Sequence, residues 1–405
     1  RAQGKAQITL IDRHNYQTFL PLLYQVATAG LAADHVAHPI RGALRGSGIE
    51  FRMGSPIAID HKNKTIKIDS SEVFAFDHLI VALGSATTDF GVPGVFDYSL
   101  GMKSVGEALR IRGEVMRNFE DLCRIDDGSS LSITVVGGGP TGVEMAGALA
   151  ELKRGPLSRD HESAAKRIQI RLIEAGDRLL PSFHPKLSER TRRDLTELGV
   201  TVLLSTKVSR VRSRKIEIKG SDAIASDITI WAAGVTGEPV MNKLRLPIES
   251  GRITVEPTLQ VSNYPSIWAI GDIAGFKDES GKFLPMVAPV AMQQARFVAE
   301  QIEALSQSQT HSQSPSLRNF HYRDKGSMAT IGRHKAVVEV GRYRQAGAIA
   351  WFAWLWLHLF YLLGGRNKVG TMADWTWNYL TFDRGNRHIM DSSSDDLNAH
   401  QMNES

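Results

Sequence analysis

The stretch 132–152, SITVVGGGPTGVEMAGALAEL, constrains the fold of this chain more than any other. It begins with a β-branched, apolar run at 133–136, the pattern of a strand buried on both faces of a parallel sheet. Gly137, Gly139 and Gly142 follow in the order G-x-G-x-x-G, and 143–152 is a good helical sequence. Each glycine answers a separate need: a tight turn, close approach of backbone to a pyrophosphate, and close packing of helix on strand. The helix then presents its free N–H groups and its positive end to the phosphates. A glycine triplet alone is a weak motif. Set between strand and helix, it predicts a dinucleotide-binding unit.

Such a unit needs an acid at the end of its next strand, to hold the ribose hydroxyls. Residues 168–173 (IQIRLI) predict that strand, and Glu174 follows it. The gap exceeds the usual spacing of about 20 residues, and the charged stretch 154–166 accounts for it as an insertion between helix and strand. A carboxylate at Glu174 repels a 2′-phosphate, so the expected cofactor is NADH rather than NADPH. Arg178, four residues on, is a cation near enough to bear on that choice. A helix at 187–198 and strands at 201–204 and 215–219 continue the unit, and the apolar strand 227–234 closes it at Gly234.

A second unit brackets the first. Residues 7–11 (QITLI) form a strand ending in Asp12, and in a dinucleotide fold a strand ending in an acid is the second one. A preceding strand, glycine loop and helix, about 25 residues, is therefore expected to be missing from the sequence. Residues 57–69 alternate as a hairpin turning at Asn63, and 77–84 is a strand ending at Gly84. The bracketing unit resumes at 259–272, where a strand at 267–270 delivers Gly271 and Asp272. That aspartate can accept hydrogen bonds from a ribityl hydroxyl while the glycine admits the chain closely. The expected fold is α/β, with two tandem Rossmann-like dinucleotide-binding domains, the second inserted into the first. The expected boundaries are 1–104 and 246–305 for an FAD-binding domain, and 105–245 for an NADH-binding domain.

A chain of 405 residues is too long for one core. Its charged and apolar fractions, 22% and 42%, are those of a folded protein. The net charge of +5 is mild and no basic run alternates with aromatics, so nucleic acid is not an expected partner. Cys123 is the single cysteine. That removes internal disulfides, Cys-based metal clusters and every flavoenzyme mechanism that works through a pair of redox thiols; no metal is expected.

Past a low-complexity linker at 306–316 comes a C-terminal module, 317–390, and a tail, 391–405, with a disordered composition. Within the module, 346–363 (AGAIAWFAWLWLHLFYLL) carries no charge. On a helix, Trp351, Trp354, His358 and Tyr361 share one face, and Phe352, Leu355, Leu359 and Leu362 share the other. The expectation is a helix lying in the headgroup region with the leucine face in lipid. Arg342, Arg344, Arg366 and Lys368 flank it, where they can meet anionic headgroups, and 375–382 adds further interfacial aromatics.

Five blocks carry a resemblance: NYQTFLPLLYQVATAGL (15–31), VVGGGPTGVEMAGALAEL (135–152), IWAIGDIAG (267–275), VAPVAMQQARFVAEQI (287–302) and YRDKGSMATIGRHKAV (322–337). The chain resembles the type II NADH:quinone oxidoreductases, single-subunit respiratory NADH dehydrogenases that do not pump protons. The resemblance runs from residue 6 to about residue 387. It implies FAD and NADH as cofactors and quinone as the acceptor. It also implies a homodimer and a monotopic attachment to a membrane lipid surface, on the cytoplasmic face of a bacterial inner membrane or its equivalent. Where the family has A-Q-x-A-x-Q along the quinone end of the flavin, this chain has Ala288, Pro289, Val290, Ala291, Met292 and Gln293. The first glutamine is thus proline, while Ala288, Ala291 and Gln293 are retained. The family commonly carries two glutamates after the nucleotide loop; Glu144 is the first, and Ala148 stands at the second. Glu144, at the start of the helix after the loop, is the expected proton-handling group, with an acid merely suited to a helix N-terminus as the plainer alternative. Two rival readings are a soluble NADH-dependent reductase of a small redox protein and a non-catalytic fragment that binds NADH without FAD.

Overall fold

The computed structural model describes residues 6–124, 127–308 and 317–389. Most of the expected linker and the tail 391–405 lie outside the described residues, and 306–308 close the helix Ala288–Ser308. By its contacts the chain forms two units. One draws on Arg1–Tyr16, Pro39–Thr88 and Val235–Lys325, and the other on Gln17–His38, Asp89–Gly234 and Gly326–Ser405.

The second unit is built on a four-stranded parallel sheet in the order Val200–Leu203, Ile168–Ile173, Leu131–Val136, Ile228–Trp231. Every residue of Leu131–Val136 and Ile228–Trp231 is buried, as a parallel sheet covered on both faces requires. The helix Pro140–Leu152 starts three residues before the sequence pattern suggests. Proline supplies the reason: its fixed φ suits a first helical turn, where its missing N–H has no partner to lose. The insertion 154–166 is itself helical, with a widened turn at Lys153–Leu157 around Pro156 and a short helix at Glu162–Lys166.

A three-stranded antiparallel sheet, Ser327–Gly332, Lys335–Val340 and Tyr343–Ala346, lies against that same helix. The approach is so close that a Cβ at Gly147 would fall 1.8 Å from the Ile331 carbonyl oxygen. After this sheet come two helices, Ala348–Tyr361 and Gly365–Thr381. They fold back over the segment 17–38. Trp375 Nε1 donates to Gln25 Oε1 at 2.7 Å, Asn378 Nδ2 to the Gly30 carbonyl at 2.9 Å, and Asn367 Nδ2 to the Ala37 carbonyl at 3.2 Å.

The rotation of the helix Ala348–Tyr361 differs from the sequence expectation. Trp354 is buried, 1% exposed, and Leu362 is buried too, while Leu355 and Leu359 are half-buried. The bare side is Ile349, Phe352, Trp356 and Phe360, at 57–67% exposure. Of the four residues expected to face lipid only Phe352 is exposed. The cause is aromatic packing: Trp354 stacks on His358 at 3.9 Å and meets Tyr24 edge-on at 6.2 Å, and Phe19 meets His358. The following helix bares Val369, Met372, Trp377 and Leu380. Among the described residues no helix is long and apolar enough to cross a membrane. At about 1.5 Å per residue, 14 residues span only ~21 Å.

In the first unit, Thr9–Asp12 pairs in parallel with Glu50–Met53, and Leu79–Val81 pairs in parallel with Tyr264–Ala269. Among the described residues no strand joins these two sets, and no complete five-stranded nucleotide fold precedes residue 104. The expected hairpin is present as Pro56–Asp60 and Thr65–Ile68, and Val73–Ala75 extends it. Ser85–Thr87 pairs antiparallel with Val235–Gly237.

Candidate active site

The glycine loop leaves the C-terminal end of the Leu131–Val136 strand. Gly137 has φ +116, and an added Cβ there would sit 2.4 Å from the Ala232 carbonyl oxygen. A Cβ at Gly142 would fall 1.8 Å from the Gly137 oxygen, so the third glycine is what lets the helix close on the turn. Gly139, by contrast, faces open space where the helix begins, with nothing within 4 Å of a Cβ. That opening, at the positive helix end, fits a pyrophosphate.

Glu174 stands beside this loop and also holds it. Its Oε2 accepts from the Gly138 N–H and its Oε1 from the Gly176 N–H, both at 2.6 Å. Each oxygen keeps a lone pair for a ribose hydroxyl. Arg178 is turned away, donating to the Pro181 carbonyl. Glu174→Ser with an added neighbouring arginine should raise the NADPH/NADH preference by about tenfold or more, on the order of 1.4 kcal/mol. Steady-state kinetics with both cofactors checks this, and a wild-type enzyme using the two equally well would refute the role given to Glu174. Gly234 follows the Ile228–Trp231 strand, on the same edge of the sheet as the loop.

The first unit gathers the other predicted residues. Ser85 Oγ donates to Asp272 Oδ2 at 2.5 Å, and the Gly271 N–H donates to Gln294 Oε1 at 2.7 Å. Gly271 takes φ +73, with the Ala291 Cβ 3.3 Å from where its own Cβ would stand. Gln294 is buried, and its Nε2 has no protein partner. An idle buried donor beside Gly271 and Asp272 fits a ligand rich in acceptors, as the ribityl and isoalloxazine parts of FAD are. The neighbouring helix holds Ala288 and Gln293, but Gln293 is engaged at both ends by Arg323, accepting from its N–H and donating to its carbonyl. Asp12 accepts from the His14 N–H at the end of its strand, and Gly84 adopts φ +74 just past Leu79–Val81. Nothing in the local sequence distinguishes Gln294, because only its burial and its empty donor set it apart from Gln293.

Glu144 lies in the second unit, on the first turns of the helix Pro140–Leu152. Its Oε1 accepts from the Thr330 N–H at 3.2 Å. The Trp354 indole N–H is close by but outside hydrogen-bonding geometry. The carboxyl is enclosed, and the residue keeps a partly open edge. Burial, opposed only by the Thr330 and Trp354 groups, pushes its pKa from the ordinary 4.5 up to about 8. An acid serving only a helix N-terminus would face water. This one holds its proton at neutral pH. Tyr24, Gln25 and Trp375, unremarked as site residues in the sequence, lie in the same unit and are hydrogen-bonded in series, Trp375 to Gln25 and Gln25 to Tyr24.

Residues 1–295 match the family model for pyridine nucleotide-disulphide oxidoreductases, and 325–384 match that for the NDH2 C-terminal domain. The type II NADH:quinone oxidoreductase Ndh of Mycobacterium tuberculosis is 35% identical over 413 residues, covering 97% of this chain and 87% of that protein. A type II NADH:quinone oxidoreductase of Haemophilus influenzae is 29% identical, covering 83% and 81%. Among solved structures, NDH2 from Plasmodium falciparum in complex with NADH superposes with a TM-score of 0.86 at 22% identity, covering 96% and 95%. The chain belongs to the pyridine nucleotide-disulphide oxidoreductases and, within them, to the type II NADH:quinone oxidoreductases.

Proposed function

We propose that the chain works as a peripheral enzyme on a membrane surface, and that Glu144 supplies the proton that quinone reduction takes from water. The reaction itself comes with the family: two electrons pass from NADH through FAD to a quinone, without proton pumping. FAD, when bound, accepts the hydride and passes both electrons on. In sum, NADH, one proton and the quinone become NAD+ and the quinol, so a single proton must enter from solvent. A carboxyl that is protonated at neutral pH, on a residue that is only partly buried, is suited to deliver it.

One observation carries the reading: the C-terminal module touches Glu144 on its inner side and is bare and apolar on its outer side. Thr330 and Trp354 approach the carboxyl, while Ile349, Phe352, Trp356 and Phe360 are exposed. Arg366 and Lys368 lie in the first turn of the helix Gly365–Thr381, and the Arg366 side chain is 90% exposed. Quinones are apolar and reside in the bilayer, whereas NADH is charged and does not cross it. The enzyme therefore sits on the face where NADH is made, the cytoplasmic side of a bacterial inner membrane or its equivalent. The direct test compares quinone and ferricyanide reduction in Glu144→Gln, with flotation on liposomes run beside it. A homodimer is also part of the proposal, on the family resemblance. Analytical ultracentrifugation of detergent-solubilised enzyme should give twice the 44.6 kDa chain mass, and a monomer would remove that part.

A further inference from the structure

The strand Tyr264–Ala269 runs parallel to Leu79–Val81, and the Ile270 N–H carries the pairing one residue further, to the Val81 carbonyl at 3.0 Å. Past that point both chains turn with positive φ, one at Gly84 (+74) and the other at Gly271 (+73). The carboxyl ends of parallel strands are where open α/β sheets take their ligands. A glycine at such a φ has no Cβ to confine it, so it leaves that conformation as easily as it adopts it. Other groups must hold the turn.

Two side chains do so. Gln294 Oε1 accepts from the Gly271 N–H at 2.7 Å, and Ser85 Oγ donates to Asp272 Oδ2 at 2.5 Å. The orientation of the glutamine is forced: a backbone N–H only donates, so the amide oxygen must face Gly271. Ala291, three residues earlier on the same helix face, brings helix and turn together, its Cβ 3.3 Å from where a Cβ on Gly271 would stand. Gln294 is 1% exposed, and the bond to Gly271 is its side chain's one hydrogen bond among the described residues. Burying an amide with its NH2 unpaired is costly, and the Gly271 bond is what this burial secures. Gln293, its neighbour, is bound at both ends by Arg323 and takes no part.

We propose that Gln294 and Ser85 are positioning residues for FAD: together they clamp the Gly271–Asp272 turn, so that its glycine and its carboxylate are in place before the ribityl chain arrives. Ser85 occupies Oδ2 and fixes the carboxylate's rotamer, leaving Oδ1 its lone pairs for a ribityl hydroxyl. Gln294 fixes the peptide that leads into it. A turn already set has less ordering to lose when a ligand binds, and the affinity rises accordingly. The proposal rests on FAD as the cofactor and is independent of the role given to Glu144.

The test takes the whole chain, strips it of FAD and titrates FAD back, following flavin fluorescence. Gln294→Met keeps the length of the side chain and removes the acceptor, and it should raise the FAD Kd about tenfold. Ser85→Ala should raise it roughly threefold to tenfold, and Ser85→Thr, which restores the hydroxyl, should return it to within about twofold of wild type. The double variant Gln294→Met with Ser85→Ala should fall short of the product of the two single effects, since both loosen one turn. NADH affinity, which belongs to the other unit, should stay unchanged. A second readout separates positioning from mere support of the fold: the rise in melting temperature on adding a fixed excess of FAD should shrink in each single variant, because that rise follows the Kd. A side chain that only supports the fold would lower the melting temperature of the stripped protein and leave both the rise and the Kd as in wild type. That result overturns the proposal, as does a Ser85→Thr variant no better than Ser85→Ala, full multiplication of the two effects, or an equal loss of NADH affinity. Should Gln294→Met not fold, the two Ser85 variants decide the matter alone. A wild-type chain that takes up no FAD would remove the cofactor and the clamp together, whereas normal FAD uptake with unaltered variants removes only the clamp.

Discussion

Glu144→Gln is expected to lower quinone turnover by about 100-fold, within the range that a positioned acid contributes. The amide has nearly the same shape and can still accept from the Thr330 N–H, so the fold and the nucleotide loop should persist. NADH-driven reduction of ferricyanide, which needs no proton delivered to an apolar acceptor, should be nearly unchanged. A matching loss in both assays would mean that Glu144 holds structure rather than moves a proton. The same substitution should make the protein more stable at neutral pH. An unfolded glutamate releases its proton near 4.5 and the folded one only near 8. The folded state therefore binds more protons across that window, and stability declines as pH rises through it, levelling off above about 8. Removing the acid should recover roughly 2–5 kcal/mol at pH 8 and nothing below pH 4. Urea denaturation at pH 4, 6 and 8 measures this directly.

The second large effect belongs to the outer face. Replacing Phe352, Trp356 and Phe360 together with aspartate should release the enzyme into the soluble fraction. Each such side chain contributes about 1.5–3 kcal/mol when buried in lipid, and each 1.4 kcal/mol is about tenfold in partition. Three of them represent at least three orders of magnitude. Activity with a short-chain soluble quinone should survive, and activity with membrane quinone should fall. Leu355→Asp is the contrasting control: Leu355 packs against the core of the second unit, so it should unfold the protein instead of detaching it. A triple variant that still floats with liposomes would move the anchor to another surface.

The parallel sheet of the second unit was readable in the sequence because its strands are buried on both faces and so are apolar along their whole length. Ile168–Ile173 came out at its true bounds. The glycine loop was readable for a similar reason: at Gly137 and Gly142 no side chain fits, and the sequence shows it. The rotation of Ala348–Tyr361 was not. A helix apolar all round has no polar side to orient it, and what decides its inward face is Tyr24 and Phe19, more than 300 positions earlier. Tyr24 itself looks like any aromatic in an apolar run. Its hydroxyl is bonded by a glutamine that Trp375 orients from 350 positions away, which local sequence cannot express. Glu144 is legible from its place after the loop and from the family resemblance, but its raised pKa comes from burial, opposed by Thr330 and Trp354 from about 190 and 210 positions on, which local sequence does not show.

The fold-back of the two last helices sets a timetable for synthesis. Gln25 waits for Trp375, 350 residues later, and Thr28 waits for Arg384. At roughly 5–20 residues per second, the interval is about 18–70 s on the ribosome. Through all of it, the surface of 19–31 that those helices cover stays bare, an early binding site for chaperones and a hazard for aggregation. The exposed apolar side chains Phe352, Trp356 and Phe360 emerge in the same stretch that closes this surface. A nascent chain therefore gains its cover and its exposed apolar face together, so under the proposed membrane attachment docking on the bilayer follows closure of this surface.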